Sequence, residues 1–261
     1  MTDKMRQVVL TKNYPRLGKK PARFDQRTLK FAKYRLPATL PIPPTEVSWV
    51  TKVPYWPEML NNCISDCTCA AAGHHIQQWS FYAGDDYIPT DDQILAAYEV
   101  LSGYIPGNPE TDNGCYILNV LNYWRNVGIA GHKIAAYVSV DHAYRQEVME
   151  AIQMFGGVYL GIELPLSARG MNKWVVADGG IVTEQGFPGG WGGHAVSAFA
   201  ASPKTVTCVT WGSKLKMSWN FFEDYVTECY AIVSQDWINK QGESPSGFDF
   251  AQLQADLALI T

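Results

Sequence analysis

Asn61-Asn62-Cys63-Ile64-Ser65-Asp66-Cys67-Thr68-Cys69-Ala70-Ala71-Ala72 is the stretch that decides the fold. A small polar pair, Ser65-Asp66, stands just before an alanine-rich run, which is how a helix N-terminus is written in sequence. The spacing predicts a helix over 67–82, capped by that pair, with Cys67 in its first turn. Free backbone N–H groups and the positive end of the helix dipole favour a thiolate there, and the thiolate is the nucleophilic form of cysteine. Cys69 lies two residues on, about 200° around the helix, and is read as a packing residue.

The second landmark is Gly192-Gly193-His194-Ala195-Val196. Its glycines let other backbone come close, and His194 opens a predicted strand. A histidine at the edge of a sheet can face a cysteine at the start of a helix, and a Cys–His pair is built that way from residues distant in sequence. Around these landmarks the chain divides. Thr90-Asp91-Asp92-Gln93 is a capping box ahead of a helix over 94–101. The segment 116–127 puts Ile117, Val120, Leu121 and Trp124 on one helical face. Asp141 is placed as the cap of a helix ending at Phe155. Beyond Gly156-Gly157 the period changes to strands over 158–164, 195–200, 206–211 and 228–234, with a turn at 201–204 and a short helix over 219–225 capped by Ser218. A final amphipathic helix is predicted over 248–260. Helices first and strands second indicate an α+β protein with a helical lobe and an antiparallel sheet lobe.

The first 57 residues read differently. They hold eight of the fifteen prolines, three of them in Leu40-Pro41-Ile42-Pro43-Pro44. Proline removes backbone donors and extends its neighbours. This gives an extended arm over 1–57, with a short strand at 7–11, ahead of a domain over 58–240 and a linker and helix over 241–261. An arm with so little core of its own is ordered only if the domain body, another subunit or a partner holds it.

Together these pieces resemble the papain-like cysteine peptidases, over about residues 56–238. The order Cys, His, then a Trp-Gly strand is the order of that family. Ser65-Asp66-Cys67-Thr68 is similar to the Gly-Asp-Cys-Thr form of papain-like proteins from bacteriophages and some bacteria. The stretch 155–162 is similar to the family's Gly-Pro-Val strand, and Val209-Thr210-Trp211-Gly212 to its Asn-Ser-Trp-Gly motif. The resemblance implies two lobes with a cleft between them, and a Cys67/His194 dyad working through a thioester acyl-enzyme on a peptide or amide substrate. It places Asn61, six residues before Cys67, where the family has an oxyanion-holding Gln. It places Val209 where the family has the Asn that orients the histidine, and Thr210 is expected on the other side of the strand. These two departures keep a second reading open: a virion or assembly protein of the same fold, with residues 1–57 docking on neighbouring proteins. The arm fits either reading, because a segment that precedes a protease domain can also lie in its cleft as an inhibitor.

Composition narrows the alternatives. The net charge is −4 with no basic half, so nucleic acid is not an expected partner. No apolar run approaches the roughly 20 residues that cross a bilayer, and no signal segment follows the N-terminus. The expected location is the cytoplasm or a virion, where the six cysteines stay reduced. No cofactor is implied. Cys63, Cys67, Cys69, His74 and His75 do not match paired-ligand zinc spacings, and His74 and His75 diverge by about 100° on a helix. His132 and His142 are read as surface residues, and Trp79, Trp124 and Trp211 as packing. The run 186–193 lacks the lysine and following helix of a phosphate loop and is read as a cleft loop leading to His194.

Overall fold

In the computed structural model, residues 14–36, 45–234, 237 and 249–260 are described. The expected strand at 7–11 and the proline cluster at 41–44 lie outside them. In chain order the elements are α1 (Phe31–Tyr34), β1 (Val47–Ser48), α2 (Cys67–Ala83), α3 (Asp91–Ser102), α4 (Ile117–Asn126), β2 (Ala136–Ser139), α5 (Arg145–Phe155), β3 (Val158–Leu164), β4 (Lys173–Trp174), β5 (Gly192–Ala201), β6 (Thr205–Thr210), β7 (Ser213–Ser218), α6 (Trp219–Tyr225), β8 (Val226–Val233) and α7 (Phe250–Ile260). The sheet runs β2-β8-β3-β5-β6-β7-β4, with β1 added to β5. All pairings are antiparallel except β4 with β7. This is the α+β arrangement expected from the sequence.

Side-chain alternation along the strands separates two cores. In β3, Val158, Leu160 and Ile162 face α5 and α6, while Tyr159 faces the helical lobe. That lobe packs α2, α3 and α4 through Ile76, Ile94, Tyr98, Val120 and Trp124. The two are fastened at the start of α2, where the Tyr159 hydroxyl donates to the Thr68 carbonyl at 2.6 Å. The arm is held by the domain body. Phe31 and Tyr34 are fully buried in the sheet-side core, and β1 pairs with the end of β5.

Helix ends explain most departures from the predicted boundaries. The capping box at Thr90 and Gln93 forms as expected, and starts α3 at Asp91. Asp141 is not the cap of α5: its carboxylate accepts from Ala143 N–H in a turn, and the helix starts four residues later behind Tyr144. Asp66 is the N-cap residue of α2, yet its side chain makes no capping bond and both carboxylate oxygens are buried without partners. The strand predicted to Trp211 ends at Thr210. Trp211 and Gly212 both have positive φ, at 46° and 70°, and form a two-residue hairpin between Thr210 and Ser213. Right-twisting strands favour such a left-handed pair, and Gly is comfortable in it while Trp is not.

Candidate active site

Cys67 is the first residue of α2 and is fully buried. The backbone N–H groups of Ala195 and Gly18 lie beside its sulfur and favour the thiolate. Ala195 directly follows His194, so the first turn of α2 and the start of β5 meet at this sulfur. Burial still dominates: it pushes the Cys67 thiol up from about 9 to about 12, against the pull of the two N–H donors. A helix N-terminus contributes at most ~2 kcal/mol to an anion, or about 1.5 pH units. The thiolate expected from the helix position is therefore overruled by desolvation in this state.

His194 is buried as well, and burial lowers it to about 3. Its Nε2 and the Thr210 hydroxyl form a hydrogen bond of 2.7 Å. The Trp211 indole stacks on the imidazole at 4.6 Å between centroids and 15° between planes. Trp211 therefore does more than fill space, and its left-handed turn conformation is what lays it there. His194 Nδ1 is buried and has no hydrogen-bond partner. The partner of His194 is thus Thr210, and the expectation that Thr210 faces the other side of the strand is corrected. Ser197 pairs with Val209 across β5 and β6. Thr210 then lies beside Val196 and shares the face of His194, while Val209 turns into the cluster with Trp56 and Phe199. Asn61 is buried in the turn before α2, with its side-chain oxygen unpaired.

Residues 18–20 of the N-terminal arm lie directly over the site. The Gly18 carbonyl accepts from Cys115 N–H at 2.8 Å, Lys20 N–H donates to the Cys115 carbonyl at 2.9 Å, and Lys19 N–H donates to the Gly193 carbonyl at 3.0 Å. The arm is thus laid as a short strand between the two lobes. Three glycines permit this approach. A Cβ on Gly18 would stand 1.7 Å from the Ser65 carbonyl oxygen, one on Gly114 2.0 Å from the Gly18 oxygen, and one on Gly193 2.2 Å from the Lys19 oxygen. Arg16 adds an ion pair at 2.9 Å with Asp112, whose carboxylate also accepts from Ser65 N–H and the Tyr98 hydroxyl.

The remaining candidates are structural. Cys69 is buried, as expected. His74 Nε2 bonds the Pro57 carbonyl at 2.9 Å, and His75 Nδ1 bonds the Ser197 hydroxyl at 2.7 Å. The Ser197 hydroxyl donates to the Ala71 carbonyl, so His75 carries its proton on Nδ1. His132 and His142 are half-buried. No helix of the described residues is long and apolar enough to cross a membrane.

Burial holds His74 to about 4 and His75 and His194 to about 3. An unfolded histidine takes up its proton near pH 6.5, so below that pH the unfolded state binds more protons and stability falls. Going from pH 7.5 to 5.5 costs ~1.4 kcal/mol per histidine, or about 4 kcal/mol for the three. Asp66 works the other way. Burial first, and the Asp112 charge second, raise it well above the usual carboxylate range. A carboxyl whose protonated form is favoured in the fold gains stability as the pH falls, so this single group offsets only part of the loss from the three histidines. A net loss is expected, and Asp66→Asn is expected to enlarge it towards 4 kcal/mol. Urea unfolding midpoints at the two pH values read both.

No family model matches the sequence, and no curated protein matches it. Solved structures match at the level of the fold. Xylellain, a cysteine protease from Xylella fastidiosa, is 13% identical with a TM-score of 0.66, over 87% of this chain and 99% of that one. The Carica candamarcensis cysteine protease CMS1MS2, solved with E-64, is 12% identical with a TM-score of 0.53, over 73% and 99%. The protease and lectin-like domains of Cwp84 from Clostridium difficile are 10% identical with a TM-score of 0.57, over 90% and 59%. The chain has the fold of papain-like cysteine proteases.

Proposed function

We propose that the protein is a cysteine peptidase that its own residues 14–20 hold in a latent state. The observation that carries this reading is the meeting of the α2 start and the β5 start at Cys67 beneath an arm strand. Cys67 is the nucleophile and His194 the base, with Nδ1, its unpaired nitrogen, as the proton acceptor. Thr210 is a positioning residue that holds the other ring nitrogen. Asn61 and Cys67 N–H are the oxyanion donors.

With the arm displaced, water and substrate enter and the burial that keeps both groups neutral is relieved. The Cys67 proton moves to His194, and the thiolate attacks the carbonyl carbon of a peptide bond. The tetrahedral oxyanion is held by the two donors. His194 gives the proton to the leaving amine as the C–N bond breaks, leaving a thioester. Water then attacks the thioester while His194 takes a proton from it. The carboxylic acid leaves and the proton returns to sulfur. The arm is not presented as a substrate in its present position, because the Gly18 carbonyl is taken by Cys115 N–H rather than by the oxyanion donors.

Casein hydrolysis by a full chain carrying Gly18→Leu tests the reading. Hydrolysis that Cys67→Ala abolishes supports it. No hydrolysis from a folded chain whose Cys67 is freely alkylated would overturn it and leave a role for the fold without catalysis. Thr210→Val in the same background is expected to lower kcat by about 10–10² with KM little changed, and Thr210→Ser to restore most of it.

A further inference from the structure

The Lys19 side chain is fully buried although it carries an ammonium group. It reaches Glu163 at 2.7 Å and Glu228 at 3.3 Å. The cavity it fills belongs to the domain, not to the arm. Glu163 and Gly161 come from β3, Glu228 from β8, and Ile117 from the start of α4. Gly161 is what makes the cavity: a Cβ there would meet Lys19 Cε at 2.5 Å, Ile117 Cδ1 at 2.8 Å and Glu228 Oε2 at 2.9 Å. The walls therefore offer length, through a missing side chain, and two carboxylates for a single cation. Buried charges are tolerated only when paired, so the empty cavity asks for a positive group.

The backbone beside the cavity is equally general. Cys115 offers both its N–H and its carbonyl to the arm, and Gly193 offers its carbonyl. Any extended peptide can take these bonds in place of the arm, as in strand addition. The residue opposite Cys115 is Lys19. In a ladder of either direction, opposed residues turn their side chains to the same side. A peptide paired there directs one side chain into the cavity that Lys19 now fills.

We propose that the Gly161–Glu163–Glu228 cavity is the specificity pocket of the peptidase, that it selects peptides with Lys or Arg at the position paired with Cys115, and that Lys19 is its built-in occupant. This rests on the peptidase reading given above. The chain then recognises its own arm and its substrates by one feature, a basic side chain at the position paired with Cys115.

Two readouts in the full chain carrying Gly18→Leu separate the pocket from the catalysis. The first is kcat/KM on fluorogenic peptide pools with Lys, Arg, Leu or Glu at each of the four positions before the scissile bond. A preference for Lys and Arg over Leu of about tenfold or more at one position is expected, and Glu163→Gln with Glu228→Gln should reduce that ratio about tenfold. The second needs no turnover: a synthetic peptide of residues 14–22 is added in trans, and its protection of Cys67 from iodoacetamide is measured. The Lys19→Leu form of the peptide should protect at least tenfold less well, and the double Gln variant should erase the difference. Should Gly18→Leu fail to fold, Lys19→Glu, which sets a third negative charge in the cavity, takes its place. Lysine-dependent protection without hydrolysis of any pool would sustain the pocket and sink the peptidase reading. Hydrolysis with no basic preference, and equal protection by both peptides, would overturn the pocket and leave the peptidase standing.

Discussion

At pH 7.5, Cys67 in a full chain carrying Gly18→Leu is expected to react with iodoacetamide about 10³ times faster than in the unaltered chain. Two effects add. In the arm-covered state burial holds the thiol at about 12, so only about one molecule in 10⁴–10⁵ carries a thiolate. An exposed thiol near 8.5 is about a tenth ionised. The higher nucleophilicity of the more basic thiolate returns part of that difference, leaving about 10²-fold. The sulfur is also fully buried in the covered state, and opening it to reagent supplies the rest. Gly18→Leu achieves this because its side chain and the Ser65 carbonyl cannot share the space. A chain lacking residues 1–22, which keeps Phe31 and Tyr34 in the core, should label at a similar rate. Peptide mapping of the alkylated cysteine by mass spectrometry checks both.

The second large effect is on turnover. In the opened chain, His194→Ala is expected to lower kcat/KM by about 10³-fold, because it removes the proton acceptor for Cys67 and the proton donor for the leaving amine together. The same variant should do little in the arm-covered chain, where the imidazole is held neutral and its Nδ1 is unpaired. Steady-state kinetics on a single fluorogenic peptide, with the fold checked by circular dichroism, reads the difference.

Much of this was legible in the residues. The α2 start at Cys67 and the capping box at Thr90 are local signals that stand where their sequence put them, and the strand expected to open at His194 begins two residues earlier, at Gly192. Local signals fail where a partner distant in the chain decides. Asp66 and Asp141 have the residue type of a helix cap, yet one is buried beside the Asp112 charge and the other is drawn into a turn. Thr210 and Val209 are neighbours, and which of them meets His194 is set by strand register: a shift of one residue exchanges the faces. The arm is the largest gap. Proline content marked 1–57 as extended, but nothing local says that Gly18 and Lys19 lie over Cys67. Gly18, Gly114, Gly161 and Gly193 each make room for that segment, and a glycine that makes room shows it only once its neighbour is known. Glu163 and Glu228 are likewise ordinary strand residues until β3 and β8 are paired.

Displacing the arm is expected to leave Cys67 and His194 as an activated pair. The rate of Cys67 alkylation by iodoacetamide, followed from pH 4 to 10 in the opened chain with and without His194→Ala, tests it most directly. An activated pair predicts a fast reaction already present at pH 5–6, which His194→Ala removes, leaving a single rise near pH 8.5. A profile that rises only near pH 8.5 in both chains would contradict it.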